Sequence, residues 1–142
     1  MSMLDVNAAL VQAYRDMGFS LPTGYETRDF APPANSAWAA VFNMPASRSP
    51  DTMGDGGDDL YSGLMQIDFH SVQNSGTAIL LNYADSVVNF LPAGKRVSYN
   101  GQDVRIRRVV PSPIRKTEGG SGYVISLSVY WEAWIARPVI GP

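Results

Sequence analysis

The 142-residue chain contains no cysteine. That excludes a disulfide framework, a zinc–thiolate site and a thiol nucleophile, and it fits a reducing cytoplasm. A single histidine, His70, excludes a multi-histidine metal centre. No apolar run approaches the roughly 20 residues that cross a bilayer. The N-terminus lacks a basic segment followed by an apolar run, so no signal peptide and no membrane partner are expected. No internal repeat and no coiled-coil heptads occur. The net charge of −2 gives no general attraction to nucleic acid. What remains is an ordinary globular composition, long enough for one domain over 1–142 with a substantial core.

Charge is unevenly placed. Seven of the eleven Lys and Arg residues lie between Lys95 and Lys116. The stretch 51–59 holds Asp51, Asp55, Asp58 and Asp59 and no base. Two solvated faces would explain this, and so would complementary patches between copies of one chain.

The periodicities predict a mixed set of elements. "MLDVNAALVQAYRDM", 3–17, reads as a helix with Leu4, Ala8, Val11 and either Tyr14 or Arg15 on one face, capped by Ser2 and stopped by Gly18. "AWAAVFNM", 37–44, reads as a strand apolar on both faces and ended by Pro45. "LYSGLMQIDFH" alternates, with Tyr61, Met65, Ile67 and Phe69 on one face and Leu64, Gln66, Asp68 and His70 on the other. A second helix in 75–94 carries the stripe Leu80, Ala84, Val87, Val88 and Leu91. Asn100-Gly101 between two strand-like runs signals a type I′ hairpin, because both residues tolerate positive φ. "YVISLSVYWEAWI", 123–135, alternates cleanly, and its length leads us to expect a bend or bulge within it. The expected class is α+β: a mainly antiparallel sheet of about four to five strands with two helices on one face. Residues 51–59 are expected to form a flexible acidic loop, and 136–142 a C-terminal tail.

Motifs for chemistry fit poorly. An EF-hand loop starting at Asp51 places Asp55 and Gly56 at positions 5 and 6 but Met53 at 3 and Ser62 at 12. "GDGGD" has the glycines of a phosphate loop without its lysine, and its carboxylates repel phosphate. No serine lies in a G-x-S-x-G elbow. His70 shares a strand face with Asp68, about 7 Å along the strand, which disfavours a direct hydrogen bond and leaves general acid–base work open. Tyr123, Tyr130, Trp131 and Trp134 suit core or interface, with base stacking the alternative. No catalytic residue, cofactor or metal is therefore assigned.

The whole order nevertheless resembles the tail terminator and minor tail proteins of long-tailed phages, the lambda gene U product-like group. The features that carry the resemblance are the opening helix "LDVNAALVQAY", the strand "PANSAWAAVFNMP" and a glycine-rich loop. A strand of the form G-x-x-Q-h-D-h follows (Gly63, Gln66, Ile67, Asp68, Phe69; h is apolar). It leads to a helix bearing Ala84 and Asp85, then to the hairpin and long closing strand. The resemblance implies a structural protein of the virion tail, assembled in the host cytoplasm. It implies a homo-hexameric ring that caps the tail tube protein, ends its polymerisation and meets a head or neck connector protein. DNA would pass through transiently and without specific contact. The subunit or partner interface is then expected at Asp51, Asp55, Asp58 and Asp59 against a neighbour's Arg105, Arg107 and Arg108. The alternatives are another head–tail connector or completion protein, a small enzyme centred on Asp68 and His70, and an adaptor that dimerises through an exposed strand.

Overall fold

The computed structural model describes residues 2–33, 36–52, 54, 56–72, 76–117 and 122–138. Two helices and seven strands follow in the order α1 (Met3–Asp16), β1 (Thr23–Tyr25), β2 (Trp38–Pro50), β3 (Asp58–Val72), α2 (Ala78–Phe90), β4 (Arg96–Tyr99), β5 (Gln102–Pro111), β6 (Arg115–Lys116) and β7 (Gly122–Ala136). The sheet runs β1-β2-β3-β7-β5-β4, with β6 added to β7. All pairings are antiparallel except β1 with β2, which is parallel.

The α+β class stands, but the sheet is larger than expected and mixed. The two additional strands are three and two residues long, too short for any periodicity to show. The hairpin formed as its turn chemistry dictates: Asn100 and Gly101 have φ of 52° and 81°, and Tyr99 pairs with Gln102.

Helix α1 begins where its cap requires, with the Ser2 hydroxyl accepting from the Asp5 amide at 3.2 Å. Its buried face is Val6, Ala9, Leu10, Ala13 and Tyr14, whereas Leu4 is 76% exposed. The helix carries two apolar stripes. The sheet takes the one ending in Tyr14, whose hydroxyl hydrogen-bonds Thr23 at 2.8 Å. Helix α2 buries Leu80, Ala84 and Val87, and Leu91 just beyond it, while Val88 stays exposed. Both helices enter one core with Tyr61, Met65, Ile67 and Phe69 of β3 and Ile125, Leu127, Val129, Trp131, Ala133 and Ile135 of β7. Phe19 closes that core by edge contacts with Phe69 and Tyr83.

Two corrections concern the strands. Strand β2 does not stop at Pro45 but continues to Pro50. The expected irregularity is not in β7, which pairs with β3 without a shift from Gly122 to Ala136. It falls instead on the strands either side, between Pro45 and Ser47 of β2 and between Ile106 and Arg108 of β5. Both bulges adjoin one transverse row, Pro45–Gly63–Trp131–Ile106. Each bulge adds local twist, so the sheet bends across this row while β7 runs through it. Gly63 is required there. A Cβ on it would lie 2.6 Å from the Met44 carbonyl oxygen and 2.7 Å from the Pro45 Cα.

Candidate functional site

Beyond that row β2 and β3 form a hairpin end, where every residue from Met44 to Pro50 is exposed. Its outer edge is short of donors. Ala39 donates to Pro22 on the β1 side, so by the period of two Val41, Asn43 and Pro45 also turn outward. The Asn43 amide is taken by the Glu26 carboxylate, and Pro45 has none. Beyond the bulge, Asp51 donates inward to Asp58, which leaves Arg48 and Pro50 outward, and Pro50 again has no N–H. An edge so depleted resists the addition of another strand.

The loop that joins the two strands is tied to the end of β7. Arg137 donates to the carbonyls of Asp58, Thr52 and Gly54 and to the Asp59 carboxylate, at 2.6–2.9 Å. Its own amide donates to Gly57. The Trp134 indole donates to Asp51 at 2.8 Å. Asp59 also accepts from Arg48 at 2.9 Å. The Arg137 hydrogen bond holds the Asp59 carboxyl below the usual carboxylate range; burial opposes it, and the Arg48 hydrogen bond adds to the lowering. Asp58 and Asp59 belong to β3 rather than to the loop. Asp55 lies outside the described residues.

The basic residues of β5 have company of their own. Arg105 and Arg107 approach Glu132 of β7 at 3.4 and 3.9 Å, and the Arg108 guanidinium lies 4.5 Å from the Tyr130 ring centroid. Arg96 stands directly opposite Arg105 across the β4–β5 ladder. The acidic and basic residues therefore lie toward the same end of one protomer, and each set is partly neutralised within the chain. Sequence reasoning missed the residues that do this: Arg48, Glu132, Trp134 and Arg137. Glu132 was visible as the one carboxylate in the polar alternation of the closing strand. Nothing in sequence spacing pointed from Arg137 to residues 52–59.

At the opposite, cleft end, His70 lies flat on Trp38, with ring centroids 3.8 Å apart and planes 2° apart. Asp68 accepts from the Gln66 amide at 2.9 Å. Among the described hydrogen bonds none joins Asp68 to His70. Burial pushes the imidazole below its ordinary value; Asp68 opposes this and Arg115 adds to it. Trp38 and His70 form one wall of a cleft of about 570 Å³, whose other walls include Pro33, Arg115, Lys116 and Thr117. A second groove of about 370 Å³ runs between α1 and the β1–β2 edge, beside Val11, Arg15 and Tyr25. Among the described residues no three carboxylate or imidazole side chains gather as a metal site would require. No described helix is long and apolar enough to cross a membrane.

Comparison with known proteins adds the following. The model of a family described as phage tail terminator protein matches residues 5–131. No curated protein matches the chain. One solved structure superposes with a TM-score of 0.75 at 22% identity, covering 96% of this chain and 99% of the other, and so shares its fold.

Proposed function

Because the chain belongs to the phage tail terminator family, a family of structural tail proteins, we propose that it acts as a non-enzymatic ring. Six copies close head to tail, cap the finished tail tube, stop its growth and present a surface to the head or neck connector. The observation that carries this reading is the family match, which spans all but the ends of the chain. The geometry supports it in two ways. Residues 44–50 of β2 are exposed along their whole length, and the loop that follows is held by Arg137. The depleted β2 edge favours neighbours that meet through side chains rather than by extending the sheet.

The contact we propose sets Asp51, Asp55, Asp58 and Asp59 of one copy against Arg105, Arg107 and Arg108 of the next. Within the chain Asp51 and Asp59 already shape the loop. Asp58, Arg107 and Arg108 are then the best placed to reach outward. An exposed ion pair contributes about 0–1 kcal/mol, so several together are needed and the ring should loosen with salt. DNA passes through without tight phosphate contacts, since those would retard it.

The test is the mass of the purified chain by light scattering and its shape in particle images, with and without its tube protein. A ring of about six copies is expected. Combined Asp58→Asn, Arg107→Gln and Arg108→Gln changes should lower the ring fraction at low concentration while the fold persists. A chain that stays monomeric in every condition, tube protein included, overturns the proposal.

A further inference from the structure

The cleft end holds two cations, Arg115 and Lys116, for which the described residues supply no ion pair; Asp68, opposite Ser126 in the β3–β7 ladder, is engaged by the Gln66 amide instead. Among the described residues no Asp or Glu lines the cleft, although Arg115 and Lys116 do. The Arg115 guanidinium donates to two serine hydroxyls, Ser126 at 2.8 Å and Ser112 at 3.1 Å. Among the described residues it forms no ion pair. Arg48, Arg105, Arg107 and Arg137 each have one. Glu118 lies outside the described residues. We propose that this cleft binds an acidic peptide segment of a different protein, whose carboxylates pair with Arg115 and Lys116.

Three observations choose that occupant. The guanidinium fork suits a carboxylate, and its two serine anchors hold it in place beforehand. A nucleic acid would want a free aromatic face, but Trp38 is already stacked by His70 and leaned on by Phe30 at 5.6 Å. A second copy would have to bring its own acidic hairpin, which sits at the other end of the sheet, about 40 Å away by the strand rise. In that hairpin Asp59 is already paired with Arg48 and Arg137, and Asp51 with the Trp134 indole. The proposal goes beyond the ring and does not depend on it, because Arg115, Lys116 and the other described lining residues all come from one protomer.

His70 is the only imidazole in the chain, so its ring signals report this cleft alone. The full chain is titrated with hexaglutamate at low salt and followed by NMR. The His70 signals should move to saturation, and its pKa should rise, because bound carboxylates favour the imidazolium. Affinity should fall about tenfold in Arg115→Gln and also in Lys116→Glu, an exposed change that leaves the serine bonds intact. Three outcomes overturn the proposal: no His70 response to hexaglutamate, a stronger response to a DNA oligonucleotide of equal charge, or equal binding by a peptide of residues 49–60 of this chain.

Discussion

At the hairpin end of the sheet Asp59 sits between Arg48 and Arg137, whereas at the cleft end Arg115 rests on two serine hydroxyls and, among the described residues, forms no ion pair. The first arrangement satisfies its own charges and gains shape. Arg137 bonds the first backbone carbonyl of β3 and two carbonyls of a loop that contains three described glycines and would otherwise be costly to order. The second leaves charge to be met from outside. Both ends belong to the same three long strands, so the contrast comes from side chains and not from a change of fold. An end that is internally neutral presents a rigid form, and an end with surplus cations presents an attraction.

The change with the largest expected effect attacks the joint between the two ends. Gly63→Ala forces a methyl group to within 3 Å of three backbone atoms of the β2 bulge. None of them is a side chain that could swing aside. Overpacking of this kind costs about 1–3 kcal/mol. Denaturant unfolding should show the loss. Hydrogen exchange should show it concentrated in 44–50 and 58–62, with the cleft end less affected. A uniform loss over the whole sheet would mean the bulge does not separate two regions.

A middling effect is expected from Arg137→Ala. It removes the clasp but leaves the β-ladder intact, so global stability should change little. Exchange of the amides in 51–58 should speed by about tenfold, the scale of one lost charged hydrogen bond. The pH dependence should change as well. The Asp59 carboxyl is held below its unfolded value of 3.8, chiefly by Arg137. Its contribution is therefore present above that value and is lost as pH falls through the folded one. The variant should lose less stability on acidification than the native chain does. An unaltered acid limb would show that Arg48 alone suffices.

Much of this contrast was beyond sequence reading, for identifiable reasons. The buried face of β3, the Asn100-Gly101 turn and the cap at Ser2 are local signals, and each matched the structure. The face of α1 did not, because the helix offers two apolar stripes and only the sheet decides between them. Pro45 read as a strand end because proline lacks an N–H. At an outward-facing edge position that lack costs nothing, and β2 runs on. The acidic residues were legible as a cluster, but their partners were not. Arg137 and Trp134 reach them from about 80 residues away, across a pairing of β3 with β7 that no spacing announces. His70 was legible as solitary. Its stacking on Trp38 follows from the register of β2 against β3, in which the two residues are directly paired.

The smallest effect expected is at the cleft end and turns on that pair. Among the described residues, Asp68, Arg115 and Lys116 are the charged groups around the imidazole. Burial, reinforced by Arg115, places its folded pKa below the unfolded value of 6.5. Between the two values the unfolded chain binds the proton and the folded chain does not, so stability falls as pH drops from 6.5 through the folded pKa and then levels. His70→Phe keeps a flat ring against Trp38 and removes the proton. Denaturant midpoints at pH 7 and pH 5.5 should then differ less than in the native chain. An acidic ligand in the cleft should produce the same flattening in the native chain, by raising the folded pKa toward the unfolded one. If the native midpoints do not change over this range, His70 is not held neutral by its burial against Trp38.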